Sequence, residues 1–381
     1  MKPSAPKSLS TEFVHAFARL TRLPSPHRPA ASLSAAANVL VVKLDAIGDF
    51  VLCTPFLRQL RLAAPTARIH VVTGPATAPL AAACPWVDAH AVYTPVPTPR
   101  RLGRLRSVLD ARRLIRSAFP GVRFDHAFVP RRGPDLGGAG VLARVSGATR
   151  TLGFAASGTA ALLDHAVDVP DDCHEAEANL ALLRAAGAPT APPVLEFHCP
   201  PAEARTVQAR LAREQLQARG YIVLGVGASL PHKVWPAERF LALAAAIKVA
   251  HGLPCIAIGD AADAGRFPPS AQSWHNWAGS LSIAQSWALL KTAALFVGND
   301  SAGVHLAAAA GCPCVVVSWD HAEADPADVN AHPRFAPHGV PHRTVHAPKG
   351  GPRAAEAVPL EAVVQGVEHL VHATTPRVPH P

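Results

Sequence analysis

Runs of four to seven consecutive apolar residues recur along the chain. Each ends in small or polar residues and gives way to a stretch with apolar positions three and four apart. Unbroken apolar runs of this length predict strands buried on both faces of a parallel sheet, and the 3.6-residue period predicts the helices that cover it. The first run, Asn38 to Leu44, leads through Asp45-Ala46-Ile47-Gly48-Asp49 into helical spacing from Phe50 to Leu62. Gly48 suits a tight turn, and Pro55 leaves either Asp49 or Thr54 as the helix cap. Further strands are predicted over 69–73, 87–93 and 124–129. A Pro-rich loop from Thr94 to Arg100 precedes a helix over 101–118, and a glycine-rich loop, Gly133 to Gly140, follows the strand at 124–129. A helix over 176–186 ends at Gly187-Ala-Pro-Thr-Ala-Pro-Pro193, whose composition reads as a linker.

The pattern then repeats. Tyr221 to Val226 is a strand, followed by Gly227-Ala228-Ser229, Lys233 and a helix whose first turn suits Pro236. Pro254 to Ile258 is a strand ending at Gly259-Asp260. Leu295 to Val297 leads into Gly298-Asn299-Asp300-Ser301-Ala302-Gly303-Val304-His305, with a helix to Ala310, a stop at Gly311 and another strand at 314–318. Ser301 is a natural N-cap. His305 lies one turn beyond it, so Asp300, Ser301 and His305 converge beside free backbone N–H groups at a strand's carboxyl end, a place suited to an anion or a sugar. Alternation of strands and helices over 381 residues predicts an α/β protein of two domains, 38–190 and 194–350, after a flexible leader at 1–37 and before a terminal helix at 358–373.

Composition narrows the classes. Seven cysteines are scattered without a Cys-x-x-Cys pair, which predicts reduced thiols and a cytoplasmic protein. No apolar run approaches the ~18 residues of a membrane span, and residues 1–37 lack a signal-peptide core. Phe13, Val14, Phe17 and Leu20 do fall at helical spacing beside Arg19 and Arg22, so a membrane-surface helix is the alternative to a disordered leader. The net charge is +9, and ten arginines lie between Arg100 and Arg132, opposed only by Asp110 and Asp125. This is either a solvated helix face or a surface for a polyanionic acceptor or an anionic leaflet. Aromatic residues are 6% and no nucleic-acid-binding signature is present, so nucleic acid is not expected as a partner. The histidines at 321, 332, 338, 342 and 346 and the run Asp171-Asp172-Cys173-His174-Glu175 fit no strong ligand spacing, and no metal is expected.

Taken in order, three segments resemble glycosyltransferase family 9, the bacterial ADP-heptose:lipopolysaccharide heptosyltransferases. They are Val41 to Asp49; Gly227-Ala228-Ser229 with Lys233 and Trp235-Pro236-Ala237-Glu238-Arg239-Phe240; and Ala278-Gly279-Ser280-Leu281 with Gly298 to Ser301 and His305-Leu306-Ala307. The resemblance spans about 38 to 318. It implies a GT-B fold, two Rossmann-like parallel-sheet domains facing across a cleft, with metal-independent inverting sugar transfer, no cofactor, and a terminal helix that crosses back to the first domain.

Roles follow from that resemblance. Asp49 is the expected base, and Asp45 an acceptor-side residue or a prop for its loop. Gly227, Ala228, Ser229, Lys233, Asp260, Gly279, Asp300, Ser301, Gly303 and His305 are the expected donor site, with Trp274 and Trp277 as weaker candidates for the base pocket. Lys233 and the helix N-terminus at Ser301 would neutralise a diphosphate, and Arg112, Arg113 and Arg116 would meet an anionic glycolipid or oligosaccharide. The same N-terminal position should lower the proton affinity of Asp49. The favoured donor is ADP-heptose, the favoured acceptor a lipopolysaccharide-type envelope glycolipid, and the protein is expected in the cytoplasm with a peripheral inner-membrane contact as a variant. Competing readings are a different nucleotide-sugar donor, a nucleotide-sugar epimerase, or a non-catalytic binding protein. Two departures bear on the donor: Ala302 stands where the family has Gly, and Trp319-Asp320-His321 opens a His- and Pro-rich segment where a short Gly/Pro turn is usual.

Overall fold

The computed structural model describes residues 32–94, 101–135, 138–157, 160–271, 274–322 and 332–374. The leader up to residue 31, most of the Pro-rich loop before the arginine helix and the stretch 323–331 of the His-rich segment lie outside the described residues. The chain divides into two compact units, Met1–Pro193 and Val194–Pro381.

In the first unit, β1 (Asn38–Lys43), β2 (Arg68–Thr73), β3 (Ala89–Val92), β4 (His126–Val129), β5 (Arg150–Phe154) and β6 (His165–Val167) form one sheet in the order β3-β2-β1-β4-β5-β6, parallel throughout. Val39, Leu40, Val41 and Val42 are all fully buried, as expected of a strand covered on both faces. The order reverses direction between β1 and β4, so their carboxyl ends flank the crevice where open α/β sheets bind ligands. Helices α1 (Ile47–Leu52) and α2 (Thr54–Ala63) follow β1. Neither predicted cap is used: Ala46 precedes α1 and Cys53 precedes α2. Pro55 has no N–H for the Val51 carbonyl, and the Thr54 hydroxyl donates to that carbonyl instead at 2.7 Å, which breaks the run in two. The remaining helices are α3 (Ala78–Ala83), α4 (Arg101–Ala118), α5 (Ala139–Val145) and α6 (Glu175–Ala185).

The second unit holds β7 (Ile222–Gly225), β8 (Cys255–Ile258), β9 (Trp274–Asn276), β10 (Leu295–Asn299), β11 (Cys314–Ser318) and β12 (His342–His346), in the order β12-β11-β10-β7-β8-β9 and again all parallel. Counted from β7 this is the same order as in the first unit, and its switch point lies between β7 and β10. The helices are α7 (Pro201–Arg213), α8 (Ala237–His251), α9 (Ala261–Ala264), α10 (Ile283–Lys291), α11 (Ala302–Ala309) and α12 (Leu360–Thr374). The expectation that the terminal helix joins the first domain is corrected here. The stripe Val363, Val367 and Leu370 is buried in the second unit's own core, where α12 packs on β10, β11, β12 and α8. Its entry is pinned by Trp235, whose indole N–H donates to the Val358 carbonyl at 3.0 Å.

All seven cysteines are free, and burial pushes the Cys53, Cys255 and Cys312 thiols up to about 12. Among the described residues no helix is long and apolar enough to cross a membrane.

Candidate functional site

The carboxyl end of β1 carries charge into a buried setting. The Lys43 ammonium, 2% exposed, donates to the Pro130 carbonyl at 2.6 Å and lies 2.7 Å from Asp45, which also pairs with Arg131. Asp45 is thus consumed by two cations that tie the loop after β1 to the loop after β4. It props the loop and does not present a carboxylate to a ligand. Asp49 occupies the third position of α1 and is partly buried. Burial raises its proton affinity above the ordinary carboxylate value. Lys43 pulls the other way, Glu175 adds to the rise, and the Ala46 and Asp49 backbone N–H groups oppose it. The helix N-terminus therefore acts in the predicted direction, but desolvation outweighs it. A carboxylate held up in this way is a better proton acceptor when ionised.

The arrangement is backed by residues that sequence reasoning did not place. Glu175 opens α6 and is 3% exposed, with Arg132 3.8 Å away. Arg132 also donates to the carbonyls of Cys173, Pro170 and Asp171 at 2.6–3.0 Å, which explains the run 171–175 as an arginine-bound turn. His174 caps α6, its Nδ1 accepting from the Ala176 N–H at 3.2 Å. Asp135, buried, accepts from the N–H groups of Gly138, Ala139 and Gly140 at 2.7–2.8 Å and so fixes the start of α5. The available signal is Pro130-Arg131-Arg132 directly after an apolar strand, although the two arginines also belong to the run of ten between Arg100 and Arg132.

In the second unit, Asn299 ends β10 fully buried. Its Oδ1 accepts from the Trp235 N–H and its Nδ2 donates to the Val226 carbonyl, both at 3.0 Å. This holds the loop 226–236 against the β10 turn and fixes Ala228, Ser229 and Lys233 relative to Asp300 and Ser301. Asp300 and His305 are buried, whereas Ser301 is partly exposed. Ser301 stands at the N-cap of α11, but its hydroxyl makes no cap bond, a correction to the expected cap. Gly225, Gly298 and Gly303 gather under the Phe296 ring, which a Cβ at any of them would meet at 3.0 Å or less. Gly303 is thus a packing glycine as well as part of the turn into α11.

Three expected donor residues have structural duties. Gly227 lies under the Asp263 carboxylate, which leaves no room there for a side chain. Asp260 accepts from the Ala262 and Asp263 N–H groups at 2.8 and 3.0 Å in a capping box, so its carboxylate begins α9, although the residue is exposed beside the crevice. Gly279 has φ +69° and sits against Ala261, which keeps the segment 278–281 at the end of β8. Trp274 and Trp277 are buried: Trp277 donates to Glu214 at 3.0 Å under the Arg210 guanidinium, and Trp274 packs on Phe267. Neither offers a base platform. The Lys233 ammonium lies 5.2 Å from the centre of the Trp319 indole.

Arg112, Arg113 and Arg116 are all exposed on α4, with Leu109 (57% exposed) and Ser117 lining the same shallow concavity. They do not join the buried charges around Asp45. Among the described residues no group of three or more His, Cys, Asp or Glu could hold a metal ion.

Residues 134–323 match the family model described as glycosyltransferase family 9 (heptosyltransferase). Comparison with curated proteins returns no match. Solved structures similar to this chain include a glycosyl transferase family 9 protein from Veillonella parvula, at 19% identity, TM-score 0.72, covering 88% of this chain and 98% of that one. E. coli ADP-heptose lps heptosyltransferase II aligns at 19% identity and TM-score 0.62, covering 88% and 99%. E. coli heptosyltransferase WaaC with ADP-2-deoxy-2-fluoro heptose aligns at 17% and 0.63, covering 87% and 99%. At these identities the likeness is one of fold, and the fold is GT-B.

Proposed function

The chain belongs to glycosyltransferase family 9, and from that premise we propose that it transfers a sugar from a nucleoside diphosphate donor to a hydroxyl of a cell-envelope glycolipid, with inversion and without a metal. ADP-heptose is the favoured donor and a lipopolysaccharide-type core the favoured acceptor. The observation that carries this reading is Asp49, a carboxylate beside the β1/β4 switch point whose proton affinity is raised chiefly by burial. The acceptor oxygen forms a bond to the anomeric carbon as the bond from that carbon to the diphosphate oxygen breaks. Asp49 takes the hydroxyl proton, and the nucleoside diphosphate leaves. In the second unit Lys233 and the N-terminus of α11 at Ser301 receive the diphosphate charge. Asp300 accepts from sugar hydroxyls, and His305 donates to sugar or phosphate. Arg112, Arg113 and Arg116 attract the anionic acceptor or the leaflet that carries it.

A different donor sugar is the second reading, and Trp319-Asp320-His321 at the end of β11 favours it, because a bulky, fixed residue stands where the family usually has a short turn. The test is transfer to a truncated lipopolysaccharide acceptor from ADP-heptose and from UDP- and GDP-sugars, with the anomeric configuration of the product read by NMR. Transfer from ADP-heptose with inversion supports the first reading. Transfer only from a UDP- or GDP-sugar replaces the heptose assignment, and retention of configuration rules out the single displacement with Asp49 as base.

A further inference from the structure

Three loops at the carboxyl edge of the second sheet meet on one indole. Trp319, 7% exposed, follows β11, with the centre of the His232 ring, set edge-to-face, 4.8 Å and the Lys233 ammonium 5.2 Å from its ring centre. From the loop after β12, the Arg353 guanidinium lies 5.0 Å from the same centre. Both cations are within the distance at which a ring attracts them. Arg353 is also held from behind: its Nε donates to Asp320 at 2.9 Å, and Asp320 is fully buried while the arginine side chain remains 45% exposed. Asp320 in turn is fixed by accepting from the His321 N–H at 2.9 Å.

Gathering two cations on one ring works against their mutual repulsion. A buried carboxylate that spends itself on orienting an exposed guanidinium is a further investment at the same spot. We propose that Arg353 is a second cation for the donor diphosphate, acting beside Lys233, with Trp319 and Asp320 as the positioning residues that set the spacing of the pair. This rests on the reading of the second unit as a nucleoside diphosphate-sugar site and deepens it. A diphosphate has oxygens for two separate donors, and a planar guanidinium engages them by paired hydrogen bonds where an ammonium supplies a point charge. Trp319 thus gains a reason for replacing a small turn residue: it is the shelf on which both cations rest.

The test is calorimetric binding of ADP and of adenosine to the full chain, wild type against Arg353→Ala, Arg353→Lys and Asp320→Asn. Arg353→Ala is expected to bind ADP roughly 10- to 100-fold more weakly, the range for loss of one charged hydrogen-bond partner. Adenosine binding should be unchanged, Arg353→Lys intermediate, and Asp320→Asn several-fold weak for ADP alone. In turnover, the donor KM should rise and the acceptor KM stay fixed. Equal ADP affinity in wild type and Arg353→Ala, or parallel loss of adenosine, overturns the clamp while the nucleotide site stands. If Arg353→Ala fails to fold, unaltered ADP binding by Asp320→Asn overturns it. Failure of the wild type to bind ADP, UDP or GDP overturns the nucleotide site and this inference with it.

Discussion

Asp49→Asn should leave the protein more stable and much less active. In the folded chain Asp49 has its proton affinity raised, with burial as the largest cause. Between its unfolded value near 3.8 and the raised folded value, the native state binds more protons than the unfolded one. Stability therefore falls as pH rises through that window, and the deficit is fully present once pH exceeds the folded-state value. Each tenfold increase in proton affinity corresponds to about 1.4 kcal/mol. Asparagine keeps the shape of the protonated acid and never ionises, so it removes the deficit. For a unit of this size each kcal/mol moves Tm by about 2–4 °C. The expected result is a higher Tm at pH 7, with the gain shrinking toward zero as pH falls to about 4. Transfer by the same variant should drop about 10²- to 10⁴-fold, the usual effect of removing a general base. Scanning calorimetry of both proteins from pH 4 to 8, with initial rates measured in parallel, decides the matter. A variant that melts lower at pH 7, or whose gain grows toward acid, would show that the Lys43 and backbone contacts outweigh burial and would refute the reasoning.

His126 is fully buried and its proton affinity is lowered, first by burial and then by Arg150; His70 is likewise lowered by burial and Arg68. Their contribution is intact above pH 6.5 and is lost as pH falls below it, because the unfolded chain then takes up protons that the folded chain refuses. His126→Leu should flatten the acid limb of Tm against pH between 7 and 5, and an unchanged limb would count against it. Asp45→Asn leaves Lys43 and Arg131 without their buried counter-charge and should cost about 3–5 kcal/mol in urea unfolding; a loss under 1 kcal/mol would mean water already screens the cluster. Replacing Arg112, Arg113 and Arg116 together by Ser should raise the acceptor KM, reduce binding to anionic vesicles and leave donor KM and Tm unchanged, since all three side chains are solvent-facing. A matching rise in donor KM would show that the arginines act elsewhere.

The central strands and the helices that follow them were legible because their signals are local. Unbroken apolar runs gave β1, β7 and β10, and Arg101–Ala118 is the helix its periodicity predicts. The edge strands β6, β9 and β12, and β5 next to β6, were not legible. They are short, carry polar residues such as His165 and His342, and acquire strand form from a neighbour rather than from their own pattern. The strand ends were marked in the sequence, and the duties of single residues there only unevenly. The segments at the ends of β1, β7 and β10 do lie at switch points, but Asp45, Gly227 and Asp260 serve the loops themselves. Partners such as Glu175, Arg132 and Asp320 come from distant sequence positions, and only the folded chain brings them in. The terminal helix went astray because an amphipathic stripe says that a face is covered, without saying by what.

Asn299 has a mechanical consequence. Because the Asn299 side-chain amide, itself at the β10 turn, binds the backbone at both ends of the loop 226–236, the segment carrying Lys233 and the turn carrying Ser301 form a single stiff jaw. A ligand that touches both meets a surface already assembled, so little ordering cost is left to subtract from its affinity. Such a jaw cannot open by parting its two loops. In the proposed donor site, loosening the grip on a spent nucleotide would fall instead to the half-buried Lys233 and the exposed Arg353, both set beside Trp319.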